Sequence, residues 1–290
     1  GFAIALNAGI PLEDMEFVQF HPTGIRGLGI LVSEAARGEG GVLRNDAGER
    51  FMERYAPTVK DLAARDVVSR AMLTEIREGR GISGNDYLHL DLTHLGKALI
   101  EERLHDIASF VRVYLGLDPV QEPIPVAPTC HYIMGGIPTD IDGKVMRDEK
   151  GTVFPGLYAA GECACVSVHG ANRLGCNSLL DLVVFGRRAG ISMAGMLPDA
   201  SWIPMPENAG AALAEHLNNL RNASGSLRCH EIREALKETM MKNCSVFRSE
   251  VSLNQALERV HSFRTLLSSV GLSDHGLAFN TELTERIELG

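Results

Sequence analysis

The sequence predicts an α/β fold followed by a partial helical domain, and two observations support that prediction. An apolar strand over 152–162 runs into Gly161 and Glu162, which puts a carboxylate at the carboxyl edge of a sheet, where open α/β folds bind ligands. Beyond a proline-rich junction at 198–206, the pattern changes to amphipathic helices. These helices are predicted at 211–220, 231–244 and 253–267.

The beginning of the chain is predicted to hold a histidine in a loop. Residues 3–8 have the pattern of a helix end closed by Gly9, and 15–20 form a short apolar strand that leads to the loop at 21–24. A second apolar run and a glycine-rich bend follow. Residues 42–52 are typical of a hairpin, because Asp46-Ala-Gly48 suits a turn.

Two helices and a linker are predicted next. Apolar residues recur at i+4 spacing over 60–78, and a second helical pattern covers 97–115. The proline-rich stretch 119–128 is predicted to be an extended linker at a domain boundary.

Paired strands and a buried helix complete the α/β part of the prediction. Residues 129–136 and 137–145 are predicted to pair, with the second segment turning at Asp142 and Gly143. A buried helix is predicted over 179–196, after the strand at 152–162.

Composition limits the possible partners. With 290 residues and 45% hydrophobic content the chain can build a substantial core, and its net charge of −9 argues against nucleic acid as a partner. None of the six cysteines forms paired CxxC motifs at zinc spacing, so we expect reduced thiols and no metal site. No segment reaches the ~18 apolar residues of a membrane span.

Both ends are atypical of a complete protein. Gly1 opens within a helix-like apolar pattern without the features of a signal peptide, and the chain stops at Gly290 before any closing signal. We therefore expect an internal fragment.

Several motifs together point to a known family. They are Gln19-Phe-His-Pro-Thr-Gly24, Pro128-Thr-Cys-His-Tyr-Ile-Met-Gly-Gly136, Gly156-Leu-Tyr-Ala-Ala-Gly-Glu162, His169-Gly-Ala-Asn-Arg-Leu-Gly175 and Asn177-Ser-Leu-Leu-Asp181. With them the sequence resembles the flavoprotein subunit of succinate dehydrogenase and fumarate reductase. The similarity runs from about Gly9 to Arg188 and continues weakly through the helical segment.

The resemblance implies a domain organisation. Residues 1–17 would end a first segment of an FAD-binding α/β domain, into which an α+β capping (substrate) domain is inserted over 18–128. Residues 129–200 would be the C-terminal segment of the FAD domain, and 201–290 an incomplete helical domain.

The resemblance also implies a site for a dicarboxylate. His21 and Ser33 would bind one carboxylate, and His131 and Arg173 the other, where a planar guanidinium suits bidentate binding. Other interpretations remain open at this stage: His21 could cap its loop, His131 could be a core histidine, and Arg173 could belong to a surface ion pair.

A proton relay is implied by three further residues. Arg65 resembles the acid/base arginine of the family, and Glu34 and Arg37 match the other members of an Arg-Glu-Arg chain. The alternative for Arg65 is an exposed ion pair with Asp66 at the start of a helix.

Oxidation of a saturated acid needs a hydride acceptor, which no ordinary side chain provides. The resemblance implies FAD, with Glu162 near its ribityl chain and the segment of Asn177, Ser178 and Leu179 at its ring. Cys176 stands where the family commonly has glycine, so a positive φ there would cause strain.

The function implied is the interconversion of succinate and fumarate. Electrons would pass to an iron-sulfur subunit and a quinone, and membrane anchor subunits would hold the complex at the cytoplasmic face of a bacterial inner membrane or the matrix side of mitochondria. We expect the fragment alone to be inactive. The alternatives are a noncatalytic truncated remnant unable to hold FAD and L-aspartate oxidase, which shares the His-Pro-Thr, Arg-Gly-Glu-Gly and Gly-Ala-Asn-Arg-Leu elements.

Overall fold

The computed structural model describes residues 1–289, and the chain divides after Ala200 into two compact units. The first unit mixes helices with three small sheets, and the regular elements of the second are helices, which confirms the predicted α/β class with a helical C-terminal part. Within residues 1–289, no helix has both the length and the apolar character needed to cross a membrane.

The helices of the first unit are α1 (Phe2–Asn7), α2 (Glu34–Gly38), α3 (Met52–Tyr55), α4 (Arg65–Arg77), α5 (Lys97–Arg103), α6 (His105–Leu115) and α7 (Asn177–Met196). Its strands are β1 (Val18–Ile25), β2 (Val42–Arg44), β3 (Leu88–Asp91), β4 (Ile124–Ile133), β5 (Ile137–Pro138), β6 (Lys144–Met146), β7 (Val153–Tyr158) and β8 (Ala164–Cys165). The second unit contains α8 (Ala211–Arg221), α9 (Cys229–Asn243), α10 (Glu250–Leu266) and α11 (Thr281–Leu289).

The largest sheet has the antiparallel order β1-β4-β3-β2. Its buried side chains join those of α4, α5 and α6 in one hydrophobic cluster. Members of this cluster include Leu43, Leu90, Val126, Met72, Ile100 and Val111. Two further pairs of strands, β5 with β8 and β6 with β7, lie outside this sheet.

The prediction of a linker at 119–128 is wrong from Ile124 onwards, because β4 is a central strand of the large sheet. Proline has no N–H for the strand ladder, so it is tolerated in a central strand only where pairing is irregular. Pro22 and Pro128 both fall at a register shift between β1 and β4. The alternating burial of Ile124, Val126 and Pro128 is the period-two signal that reveals the strand.

Three other local predictions are corrected. His21 lies within β1 and not in a loop after it. Residues 42–52 do not pair as a hairpin, since β2 pairs with β3, although the turn before Glu49 forms. The helix expected over 97–115 is broken at Leu104 into α5 and α6.

The strands expected at 129–136 and 137–145 do not pair with each other either. β4 pairs with β1 and β3, and β5 runs parallel to β8. Only the turn at Asp142 and Gly143 is as expected, with the Gly143 N–H donating to the Asp140 carbonyl at 3.0 Å.

The helix predicted at 179–196 exists as α7, but the prediction that it is buried is wrong. Its buried residues are Asp181 and Ala189, whereas Leu179 and Val183 are more than half exposed. An apolar composition therefore identified the helix but not its surroundings, because burial depends on what packs against it.

Glu75 on α4 is fully buried and forms a hub of hydrogen bonds. Its carboxylate accepts hydrogen bonds from Asn45, Arg54, Tyr55 and Arg80 at 2.7–2.9 Å. Burial alone would raise its pKa, yet these donors lower the pKa to about 2. The carboxylate therefore ties α3 and the turn after α4 to the helix.

We expect Glu75→Gln to lower the free energy of unfolding by about 3 kcal/mol, since it removes the charge from a buried pair. The pKa of Glu75 in the folded state lies below its usual value of 4.5. The stabilisation that the ionised Glu75 carboxylate gives the folded state is therefore complete above pH 4.5 and is lost as the pH falls towards 2. Urea denaturation at pH 7 and at lower pH measures both effects. As a control, Glu78→Gln removes an exposed partner of Arg80 and should change stability by less than about 0.5 kcal/mol. Equal losses for the two variants would contradict the role of the hub.

Cys176 precedes α7 in the left-handed conformation, with φ 64° and ψ −12°. This conformation brings Cβ towards the carbonyl oxygen, which costs a residue other than glycine about 1 kcal/mol or more. The strain foreseen for a positive φ at this position is therefore present.

We expect Cys176→Gly to raise the free energy of unfolding by about 0.5–1 kcal/mol, because glycine adopts this conformation without the steric cost. Urea denaturation under reducing conditions measures the change. Cys130→Gly is the matched control. Cys130 lies in β4 without a positive φ, so glycine at this position should lower the free energy of unfolding. A loss of stability in both variants would show that the strain at Cys176 is negligible.

Candidate functional site

The two predicted substrate histidines meet because the strand pair β1–β4 is irregular. Phe20 pairs with Cys130 and Gln19 with Tyr132, so His131 is the extra residue of a bulge. A bulge changes the direction in which the side chain of its extra residue points, here that of His131. The rings of His21 and His131 contact each other edge to face, with centroids 5.4 Å apart.

Arg173 lies beside this pair. One of its terminal nitrogens, Nη2, is 3.0 Å from Nε2 of His131, and Nη1 donates to the Leu174 carbonyl at 3.0 Å. Arg173 is 5% exposed, which excludes the surface ion pair considered from the sequence. Its Nε has no hydrogen-bond partner.

Arg65, Glu34 and Arg37 form a continuous chain. Nε of Arg65, at the first position of α4, donates to Oε1 of Glu34 at 2.6 Å, and the same oxygen lies 3.4 Å from Nη2 of Arg37. Arg37 is buried and donates its Nη1 to the Asp61 carbonyl. The ion pair of Asp66 is with Arg70 and not with Arg65.

These elements enclose a cavity of about 280 Å³. Its lining contains three arginines and a single carboxylate, that of Glu34. The lining residues are Gln19, Glu34, Arg37, Leu62, Ala63, Ala64, Arg65, Asn172, Arg173, Leu174 and Gly175. The volume is that of a pocket for a small molecule.

The positive charge of the cavity controls the protonation of its neighbours. Burial and the charge of Arg65 lower the pKa of His21 to about 3, so its imidazole is neutral at physiological pH. Burial and the same arginine also lower the pKa of His131. The hydrogen bond from Arg65 lowers the pKa of Glu34, which keeps this carboxylate ionised. Burial lowers the pKa of Arg173 as well, but an arginine remains charged.

Ser33, the predicted partner of His21, is exposed at the N-terminus of α2. Its Oγ accepts a hydrogen bond from the Ala35 N–H at 3.3 Å and so caps the helix. His21 is instead oriented by Thr23, whose N–H lies 3.3 Å from Nδ1.

The residues predicted to hold FAD lie between the end of β7 and the start of α7. Glu162 is exposed, and its Oε1 accepts a hydrogen bond from the Ile133 N–H at 3.3 Å. Asn177, Ser178 and Leu179 form the first turn of α7, and the Leu179 side chain is 62% exposed. A helix N-terminus beside an exposed apolar side chain fits an isoalloxazine ring, because the ring is apolar and gains negative charge on reduction.

Two polar residues of the cavity were not singled out from the sequence. Gln19 accepts a hydrogen bond from Nη1 of Arg65 at 3.1 Å and donates to the Arg173 carbonyl at 2.7 Å, so it connects Arg65 to the backbone at Arg173. It also donates to Asn172 at 2.9 Å. A buried glutamine in an apolar strand was the available signal, since a buried amide needs partners.

Comparison with known proteins identifies the family to which the chain belongs. A family model described as "FAD binding domain" matches residues 1–179, and one described as "Fumarate reductase flavoprotein C-term" matches residues 233–290. The mitochondrial succinate dehydrogenase [ubiquinone] flavoprotein subunit of rice, Oryza sativa, is 50% identical over 100% of this chain and 47% of its own length. The succinate dehydrogenase flavoprotein subunit of Rickettsia bellii is 48% identical over 100% and 49%.

Among solved structures, the quinol fumarate reductase of E. coli superposes with a TM-score of 0.88 at 39% identity, covering 100% of this chain and 51% of the other. The Mycobacterium smegmatis Sdh1 complex gives 0.77 at 34% identity, covering 100% and 47%. The chain thus spans about half the length of the curated relatives it matches. The C-terminal family match and the relatives named above make the chain similar to flavoprotein subunits of succinate dehydrogenase and fumarate reductase. Since the FAD-binding match covers more than half of the chain, the protein belongs to the FAD-binding domain family, and its cofactor is FAD.

Proposed function

We propose that this chain forms the dicarboxylate site of a flavoprotein that interconverts succinate and fumarate. The observation that carries the proposal is the cavity in which Arg37, Arg65 and Arg173 meet a single carboxylate, that of Glu34. Uncompensated buried cations are costly, and an anionic ligand removes that cost. The names of relatives at about 50% identity favour this activity over L-aspartate oxidase.

Each end of the substrate would meet its own pair of residues. Arg173 and His131 are 3.0 Å apart and would bind one carboxylate, with Arg173 supplying charge and His131 a neutral hydrogen bond. His21 is also neutral, because burial and the charge of Arg65 lower its pKa. It would bind the other carboxylate together with Ser33. Fixing both ends would hold the central carbon–carbon bond in one orientation.

FAD, held by Glu162, Asn177, Ser178 and Leu179, would supply the hydride acceptor at its N5. The chain itself would handle the proton. In fumarate reduction Arg65 would donate a proton to the substrate carbon, and Glu34, which accepts a hydrogen bond from Arg65 and lies 3.4 Å from Arg37, would pass a proton from Arg37 to Arg65. In succinate oxidation the same transfers would run in reverse, from the substrate carbon to a deprotonated Arg65 and on through Glu34 to Arg37. A carboxylate between two guanidiniums suits this task, because each transfer crosses one existing hydrogen bond.

The complete protein would pass its electrons to an iron-sulfur subunit and a quinone, with membrane anchor subunits holding the complex at the cytoplasmic or matrix side of the membrane. The relatives named for ubiquinone and the structure titled as a complex support this context. The domain boundaries stay proposals: a first FAD segment over 1–17, a capping domain over 18–128, a second FAD segment over 129–200 and a helical domain from 201 onwards.

The first prediction concerns substrate binding. We expect the chain, in the presence of FAD, to bind malonate, a dicarboxylate inhibitor analogue, and Arg173→Gln to weaken that binding by about 100-fold, or ~2.7 kcal/mol, since a charged hydrogen-bonding group is lost. Calorimetric titration measures the affinity. Arg26→Gln, which removes an exposed arginine paired with Asp86, is the control and should bind as the parent does. A parent chain that binds no malonate would refute the proposal.

The second prediction concerns the relay. In the FAD-loaded flavoprotein, Arg65→Gln should lower succinate-dependent dye reduction by about 10²–10⁴-fold, the usual range for loss of an acid/base group. Malonate affinity should fall by much less, because Arg65 is not assigned to a carboxylate. Arg70→Gln, on the same helix with an exposed side chain, should leave turnover unchanged. Retention of most activity by Arg65→Gln would assign the proton transfer to another group.

A further inference from the structure

Arg173 is buried without a carboxylate partner. Within residues 1–289, none of the ion pairs of the structure includes it, and its hydrogen bonds go to a carbonyl and an imidazole. What lies against it is an aromatic face: its Cζ is 4.4 Å from the centre of the Tyr132 ring. This cation–π contact holds the guanidinium while leaving its charge unpaired.

Two further side chains, His169 and Asp181, form a chain of contacts with Tyr132. The His169 ring packs edge to face on the Tyr132 ring, with centroids 5.7 Å apart, and its Nε2 lies 3.5 Å from the tyrosine oxygen. The same Nε2 lies 3.3 Å from Oδ2 of Asp181 on α7. The side chains of His169 and Asp181 are 8% and 5% exposed, so the arrangement is shielded from water.

The order of these groups has an electrostatic consequence. A carboxylate in direct contact with Arg173 would neutralise it and compete with an anionic ligand. Asp181 instead contacts His169, which in turn contacts the hydroxyl end of Tyr132. Of these three side chains, the one that lies against the arginine is Tyr132, through its ring. Burial and the charge of Asp181 raise the pKa of Tyr132 to about 12, so the phenol stays neutral. The arginine therefore gains orientation without losing charge.

We propose that Tyr132, His169 and Asp181 are positioning residues that hold Arg173 ready for a substrate carboxylate. This rests on the proposed function, because it assigns Arg173 to a dicarboxylate. The three residues act through Arg173 and do not themselves contact the ligand. Tyr132 supports the guanidinium, His169 packs on the Tyr132 ring, and Asp181 fixes the orientation of His169.

The test is a calorimetric titration of the chain with malonate in the presence of FAD, together with the melting temperature of each variant. Tyr132→Leu removes the aromatic face and should weaken malonate binding about tenfold, equivalent to ~1.4 kcal/mol. Tyr132→Phe keeps the face and should restore most of the affinity. Asp181→Asn keeps the size of the side chain but removes its charge, and should weaken binding about threefold.

Tyr87→Leu is the matched control, because Arg26 lies over the Tyr87 ring at 4.8 Å and neither residue lines the cavity. It should leave malonate affinity unchanged. If Tyr132→Leu lowers the melting temperature but binds malonate as tightly as the parent, the three residues are merely structural and the inference is wrong. Equal losses in Tyr132→Phe and Tyr132→Leu would also overturn it. A parent chain that does not bind malonate would overturn the proposed function itself, which is a separate outcome.

Discussion

An excess of positive charge in one small cavity is the constraint on which the site depends. Arg37, Arg65 and Arg173 come from three different segments and face a space lined by one carboxylate. Burial and the charges of Arg65 and Arg37 keep His21 neutral, whereas the hydrogen bond from Arg65 and the same two charges keep Glu34 ionised against the opposing effect of burial. In a chain of net charge −9 this local reversal of sign would favour a small anion as the proposed ligand.

The backbone makes this concentration possible through irregular pairing of two strands. The bulge at His131 and the register shift at Pro22 and Pro128 interrupt the ladder between β1 and β4. The register shift accommodates the prolines, and the separate bulge places His131 against His21. Gln19, on the regular side of the bulge, then connects the strand to both Arg65 and the Arg173 backbone.

The sequence predicted the fold class, and its motifs named residues that the structure brings close together, such as Arg65, Glu34 and Arg37, while the roles of these residues stay predictions. It failed where long-range pairing decides the local structure. The proline-rich stretch was expected to be a linker because proline disfavours strands, but tertiary pairing overrode that propensity. Burial of α7 was likewise inferred from composition alone. The support formed by Tyr132, His169 and Asp181 joins positions up to 49 residues apart, which no local pattern reveals.

The cationic cavity is proposed to bind a dicarboxylate in a fixed orientation. A crystal structure of the chain with malonate and FAD would show whether it does. We expect one carboxylate of malonate to lie against Arg173 and His131, and the other on the His21 side of the cavity. Malonate bound elsewhere, or an arginine cluster neutralised by protein carboxylates in the crystal, would contradict the claim.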